Sequence, residues 1–270
     1  MVCDSFKNKV VVVTGAANGI GAAICHRFAR EGARIGLLDM DAKGVQAASD
    51  KLRASGVDAV GIRCDVVNED ECTSALKEII GLYGGVDILV NNAGITQRSA
   101  FIDTQTSVYR RVMDVNFFGS LHCTKAAMAS LIERKGIIIV IESLAGIAPL
   151  LGRTGYCASK HALHGFFTSL RSELRATGTH IMLVCPGFVE TSLQSRALGG
   201  DGRVTTHPQS MVGKPVSAER VAGQIYKGAV KRKHLLVLTP VGKLTYWIHH
   251  FAPKLYERIM TRQLKEELMR

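Results

Sequence analysis

No low-complexity linker divides the 270 residues, so the chain suits one large α/β domain or two small ones, and 47% apolar residues supply a sizeable core. No apolar run approaches the length needed to span a bilayer. Met1 to Lys9 lacks the apolar centre of a secretory signal, and the strand-like KVVVVTG starts at once, so neither a signal nor a transit peptide is expected. Cysteines are not paired by spacing. Cys3, Cys25, Cys64, Cys72, Cys123, Cys157 and Cys185 are odd in number and form no CxxC or zinc-ligand pattern, which points to reduced thiols and a cytoplasmic protein. His161 and His164 stand three apart without an acidic neighbour in the sequence, so no metal site is expected. No nucleic-acid recognition motif or basic, aromatic-interleaved groove accompanies the net charge of +11. That charge is local: residues 203 to 270 hold 13 basic against four acidic side chains, nine of the eleven.

What is present is an alternation of strand and helix. Candidate strands are Val10 to Thr14, Arg34 to Asp39, Ala59 to Asp65, Asp87 to Asn91, Ile137 to Ile141, His180 to Cys185 and Leu235 to Leu238. Between them lie helical patterns from about Ile20, over Ala42 to Ala54, Asn68 to Tyr83, and one long region from about Ser107 to Arg134. Such alternation predicts a parallel seven-stranded sheet with helices packed on it.

The first strand runs into TGAANGIG, where Gly15, Asn18, Gly19, Ile20 and Gly21 join it to an amphipathic helix. Bare backbone there can approach a pyrophosphate at the helix N-terminus, although glycine-rich turns also serve packing alone. Asp39 ends the second strand, where an acidic residue meets adenosine ribose hydroxyls and repels a 2′-phosphate, favouring NAD over NADP. Its other reading is a helix N-cap, a role open equally to Asp41.

The stretch from Ser143 to Lys160 carries a hydroxyl, a phenol and an ammonium at useful spacing. Tyr156 and Lys160 are four apart on a helical pattern and so share one face. At ~5 Å and an effective dielectric of ~20, the ammonium favours the phenolate by ~3 kcal/mol, roughly two pKa units, which would make tyrosine a usable general base. Ser143 closes an apolar strand and can donate to a substrate oxygen. Glu142 just before it should face the other way, toward a structural partner.

With TGAANGIG, CDV at Cys64 to Val66, NNAG at Asn91 to Gly94, Asn116, Ser143, YCASK and PGFVET at Pro186 to Thr191 in order, residues 7 to 240 resemble the short-chain dehydrogenase/reductase family. The resemblance implies a doubly wound, Rossmann-type single domain with helices on both faces of the sheet, and Asn116, Ser143, Tyr156 and Lys160 as the catalytic tetrad, with Asn116 holding a relay water. It further implies that Asp65 and Val66 border the adenine, that Asn91, Ala93 and Gly94 border the cofactor ribose, that Lys160 meets the nicotinamide ribose, that Val189 and Thr191 meet the carboxamide, and that Tyr156, Pro186 and Gly187 also contact the cofactor, the other reading of Pro186 and Gly187 being a turn that ends a strand. A homodimer or homotetramer is implied as well.

The family's substrate positions include Ile95, Ala145, Gly146, Pro149, Leu150, Leu151 and Phe188, an apolar set suited to a lipid-like, alicyclic or steroid-like secondary alcohol or its ketone. Residues 192 to 214, with Leu193, Leu198 and Met211 among polar residues, read as a lid or as an ordinary surface loop. Residues 1 to 240 would form the cofactor and catalytic domain and 241 to 270 a basic amphipathic extension. In the extension Leu244, Trp247, Ile248, Phe251, Leu255 and Ile259 form a stripe, expected on two helices, Val241 to Phe251 and Lys254 to Lys265. The stripe would pack against the lid or a second subunit, or dock on an anionic membrane. An NAD-binding scaffold with a vestigial site is the alternative to an enzyme.

Overall fold

A computed structural model describes residues 6–207, 210 and 214–268; Cys3 and Met211 lie outside the described residues. Seven strands form one parallel sheet in the order β3-β2-β1-β4-β5-β6-β7. They are β1 Val10–Thr14, β2 Arg34–Asp39, β3 Ala59–Arg63, β4 Ile88–Asn91, β5 Ile137–Ile141, β6 His180–Cys185 and β7 Leu235–Val237. The order reverses between β1 and β4, so the crevice beyond the carboxyl ends of these two strands is the topological switch point of a doubly wound sheet.

The strands read as unbroken apolar runs because both faces are covered. Val11 and Val13 of β1, with Ile137, Ile139 and Ile141 of β5, pack into the layer holding Ile24, Phe28, Val45, Leu52, Val221 and Ile225. Those partners belong to α1 Gly19–Ala29, α2 Ala42–Ala54 and α7 Ala218–Val230. The alternate residues Val10, Val12, Ile138 and Val140 enter the opposite layer with Leu76, Ile79, Leu131, Leu163 and Phe167, from α3 Glu69–Tyr83, α5 Gly119–Glu133 and α6 Thr154–Glu173. The six described cysteines are buried free thiols.

Helix starts carry local signals. Asp41 caps α2 by accepting from the Gly44 amide at 3.0 Å, Asn68 caps α3 by accepting from the Asp70 and Glu71 amides, and Ser217 caps α7. The long region expected from 107 to 134 is not one regular helix. It is α4 Thr106–Met113, a π-helical turn Asp114–Phe118, and α5, and the bulge is where Asn116 sits. Such bulges occur frequently at functional sites.

The C-terminal segment forms α8 Pro240–Phe251 and α9 Pro253–Gln263. Pro253 opens α9 rather than merely interrupting the pattern, since the first helical position needs no N–H. The two helices fold back over the segment before α6: Tyr256, Met260 and Leu264 pack with Ala148, Leu150, Leu151 and Ile248, and the Tyr256 hydroxyl donates to the Pro149 carbonyl at 3.0 Å. Among the described residues, no helix is long and apolar enough to cross a membrane.

Candidate active site

One cleft of about 1200 Å³ runs from the glycine turn, across the ends of β1, β4 and β5, to α8 and α9. At its cofactor end Gly15 has φ +63, and a Cβ there would come within 2.9 Å of the Ala93 backbone. The close approach of β1 and β4 thus requires glycine. A Cβ on Gly21 would lie 2.2 Å from the Gly15 carbonyl; this residue serves the packing of helix on turn and does not line the cleft. Thr14 and Asn92 stitch the same two strand ends. The Thr14 hydroxyl accepts from the Asn92 and Ala93 amides, both at 2.9 Å, and the Asn92 side chain donates to the Thr14 and Gly15 carbonyls at 2.8 and 3.1 Å.

Asp39 also lines the cleft. Its two carboxylate oxygens accept from the Ala17 and Asp41 amides at 3.0 Å each, which fixes it beneath the glycine turn with lone pairs left for a diol. The N-cap role falls to Asp41. Asp65, Val66, Ala93, Gly94, Pro186, Gly187, Val189 and Thr191 line the cleft. Asn91 does not: its amide points into the helical layer and donates to Thr124 Oγ1 at 2.8 Å, because a residue still inside the strand projects sideways while Asn92, one step beyond, reaches the crevice. The bare backbone at Gly15, Gly19 and Gly94 together with the Asp39 carboxylate fits a dinucleotide.

At the chemical end, α6 delivers Tyr156 and Lys160 and β5 delivers Ser143. The start of α6 has no side-chain cap of its own; Gln97 Oε1 accepts from the Gly155 amide at 3.1 Å instead. Asn116 fixes the first turn by donating to Ser159 Oγ at 2.8 Å and to the Ile95 carbonyl at 3.0 Å, and it accepts from the Ile95 amide at 2.8 Å. Both amide protons are committed, so the side chain acts here as a pin between the π turn, the β4 exit and α6. It does not line the cleft, and its main-chain carbonyl accepts from Ser120 Oγ at 2.8 Å.

The electrostatics differ from the simple phenol and ammonium pair. Burial pushes the Tyr156 phenol above its ordinary pKa, opposed by a hydrogen bond from Ser143 and by the charge of Arg153. Lys160 Nζ lies 5.7 Å from the Tyr156 ring centroid and donates to the Ile141 carbonyl at 2.9 Å. Its own pKa is lowered to about 8, again by burial, with Glu142 resisting. Desolvation therefore outweighs the attraction that spacing alone suggested, and the phenol is the resting form of Tyr156 at neutral pH. Ser143, Tyr156 and Lys160 all line the cleft, which brings a hydroxyl, a phenol and an amine to one place, the groups that proton transfer to a substrate oxygen requires.

These features agree with likenesses to known proteins. The family model "short chain dehydrogenase" matches residues 9–199. The bovine dehydrogenase/reductase SDR family member 7B is 33% identical over 269 residues, covering 97% of this chain and 83% of the relative. The chain belongs to the short-chain dehydrogenase/reductase family. A Drosophila melanogaster SDR family protein 7-like is 31% identical, covering 96% of this chain and 82% of the relative. Among solved structures, an SDR from Burkholderia phymatum in complex with NAD superposes with a TM-score of 0.83 at 25% identity, covering 93% of this chain and 96% of that one. An alcohol dehydrogenase from Thermococcus sibiricus, complexed with 5-hydroxy-NADP, shares the fold with a TM-score of 0.74 at 22% identity, covering 85% and 95%.

On this short-chain dehydrogenase scaffold the cleft is also lined by Ile95, Leu150, Phe188 and Leu198, and from the C-terminal extension by Ile248 and Met260. Ala145, Gly146, Pro149 and Leu151 lie outside the lining. Sequence reasoning missed that α8 and α9 form a wall of the cleft. It also missed Arg153, 4% exposed, which donates to Gln194 Oε1 at 3.1 Å and pairs with Glu267 at 3.4 Å. Residues 192 to 207 are tied down on both sides: Leu198 bridges to Gln97, and Arg196 and Ser192 donate to Asn18 Oδ1 at 3.2 and 3.3 Å across the glycine turn.

Proposed function

We propose that the protein is a nicotinamide-dependent oxidoreductase that interconverts an apolar secondary alcohol and its ketone. The observation that carries this is the meeting of Ser143, Tyr156 and Lys160 at one end of a cleft whose other end is a glycine turn with Asp39 beneath it. The bound nicotinamide supplies or accepts the hydride. In the reducing direction the Tyr156 phenol gives its proton to the forming alkoxide, Ser143 donates to the same oxygen, and Lys160 steadies the phenolate left behind and meets the ribose diol. Oxidation runs the proton the other way. Asp39, with no Arg or Lys in the glycine turn, supports NAD in preference to NADP. The apolar walls support a lipid-like, alicyclic or steroid-like substrate. Cofactor absorbance followed with a panel of apolar alcohols and ketones, each with NAD(H) and NADP(H), tests the reading; no turnover together with tight NAD binding would favour a scaffold with a vestigial site.

A second reading concerns location. Leu244, Trp247, Phe251 and Leu255 are each more than half exposed on α8 and α9, with Lys243, Lys254, Arg258 and Arg262 interspersed. This supports peripheral contact with an anionic membrane surface next to the mouth of the cleft. Salt-sensitive sedimentation with anionic vesicles tests it. We also propose a homodimer or homotetramer, supported by Phe118 and Ile132, which are exposed on the outer helical layer, and tested by light scattering.

A further inference from the structure

Glu142 is a carboxylate that the proton transfer leaves unused. It follows Ile141 at the end of β5 and is 2% exposed. Successive residues of an extended chain project to opposite sides, so its side chain leaves the backbone on the side away from the Ser143 hydroxyl. A carboxylate in such a place persists only when paired and hydrogen-bonded. His164 Nδ1 donates to Oε1 at 2.9 Å and the Cys185 thiol donates to Oε2 at 3.2 Å. Gly146 closes over it, since a Cβ there would lie 2.3 Å from Oε1. His164 does therefore have a carboxylate partner, one that its neighbours in the sequence could not reveal.

Lys160 lies on the same helical face, one turn before His164, and its ammonium donates to the Ile141 carbonyl, which shares a peptide bond with the Glu142 amide. Around Lys160, Tyr156 and Asn116 bear no charge in their resting forms, and the Cys185 thiol is held neutral because burial and Glu142 both push its pKa up. Around His164, Glu142 favours the imidazolium while burial and Arg171 oppose it. Of the groups beside Lys160, the Glu142 carboxylate is the one whose charge favours the ammonium.

We propose that Glu142 is the counter-charge that keeps Lys160 an ammonium ion, with His164 and Cys185 holding the carboxylate in place. It is a positioning residue, and the proposal rests on the oxidoreductase reading for its catalytic consequence. Burial holds Lys160 near 8, so removing the negative charge lowers its pKa further, and the ammonium is lost at a lower pH than in the wild type. The alkaline limb of kcat/KM should move down with it.

The test is the pH titration of Lys160 in cofactor-free protein, followed by NMR with lysine labelled at the side-chain amine and assigned by the signal missing from Lys160→Met. In Glu142→Gln the midpoint should fall by about one unit or more, and the alkaline limb of the rate profile should shift equally. Glu142→Asp keeps the charge and should restore most of the wild-type midpoint. Glu142→Ser, which also removes the charge, should give the same fall and serves if the glutamine variant does not accumulate. A folded charge-free variant with an unmoved Lys160 midpoint overturns the proposal. A moved midpoint in a protein that turns over no alcohol or ketone leaves the counter-charge standing and removes the oxidoreductase reading instead.

Discussion

Replacing Glu267 with Gln should loosen the C-terminal wall of the cleft without unfolding the sheet. The Glu267 side chain is 1% exposed; it pairs with Arg153 and accepts from the Ser210 amide at 2.8 Å. Arg98, also buried, donates to the Gln194 carbonyl, and Glu267 favours its charge. Without the carboxylate, two buried guanidinium groups face each other with no counter-charge among the described residues. Removing one partner of a buried pair costs about 3–5 kcal/mol, and Gln, which keeps the acceptor oxygen, should sit at the lower end. The alternative to bearing that cost is to release the tail. Tyr256, Met260 and Leu264 contribute ~1.5–3 kcal/mol each by burial, while ordering the segment costs ~1–2 kcal/mol per residue, so its net docking energy is small and comparable with the loss. Undocking should therefore win over global unfolding. Trypsin should cut after Arg262 and Lys265 at least ~10-fold faster, and substrate KM should rise by ~10-fold or more, since 1.4 kcal/mol is a factor of ten. Cofactor affinity should hold, because the glycine turn lies at the far end of the cleft. Equal cleavage rates and an equal KM would refute the reasoning.

Tyr156→Phe should retain cofactor binding, read by fluorescence titration, while losing at least ~10²-fold in turnover. Lys160→Met should lose turnover and also weaken cofactor binding; unchanged affinity would argue against its contact with the ribose. Asp39→Ala should lower kcat/KM with NAD and relax discrimination against NADP, and a wild-type preference for NADP would show the NAD reading wrong. For the membrane contact, deletion of everything after Thr239 is a poor probe, because it strips the wall formed by Ile248, Tyr256 and Met260 as well. Trp247→Ser with Phe251→Ser alters only exposed positions without changing charge and should weaken sedimentation with anionic vesicles; unchanged binding would leave charge alone as its cause.

The sheet was legible because burial on both faces turns each strand into an apolar run, as in VVVVT and IIIVI, and because each such run is followed by a turn and a helical pattern. Motif residues at strand ends were legible for a related reason: glycine at Gly15 answers a steric demand visible one residue at a time. What escaped depends on contacts far apart in the chain. Asn91 and Asn92 are adjacent and chemically identical, and only the point where β4 ends decides which of them reaches the cleft. The π turn around Asn116 leaves the apolar period of residues 107 to 134 nearly intact, so periodicity runs straight through it. Spacing put Lys160 beside Tyr156 but could not weigh their burial, and burial sets the sign of both pKa shifts. The amphipathic stripe of the C-terminal extension was visible as a stripe. Yet Ile248 turns inward onto the Leu150 wall while Trp247 beside it stays in solvent, and a helix's two flanks are told apart only by what it folds against. The same holds for Glu142: its sequence neighbours mark it as facing away from Ser143, and only the fold supplies His164, 22 residues on, as the donor that anchors it.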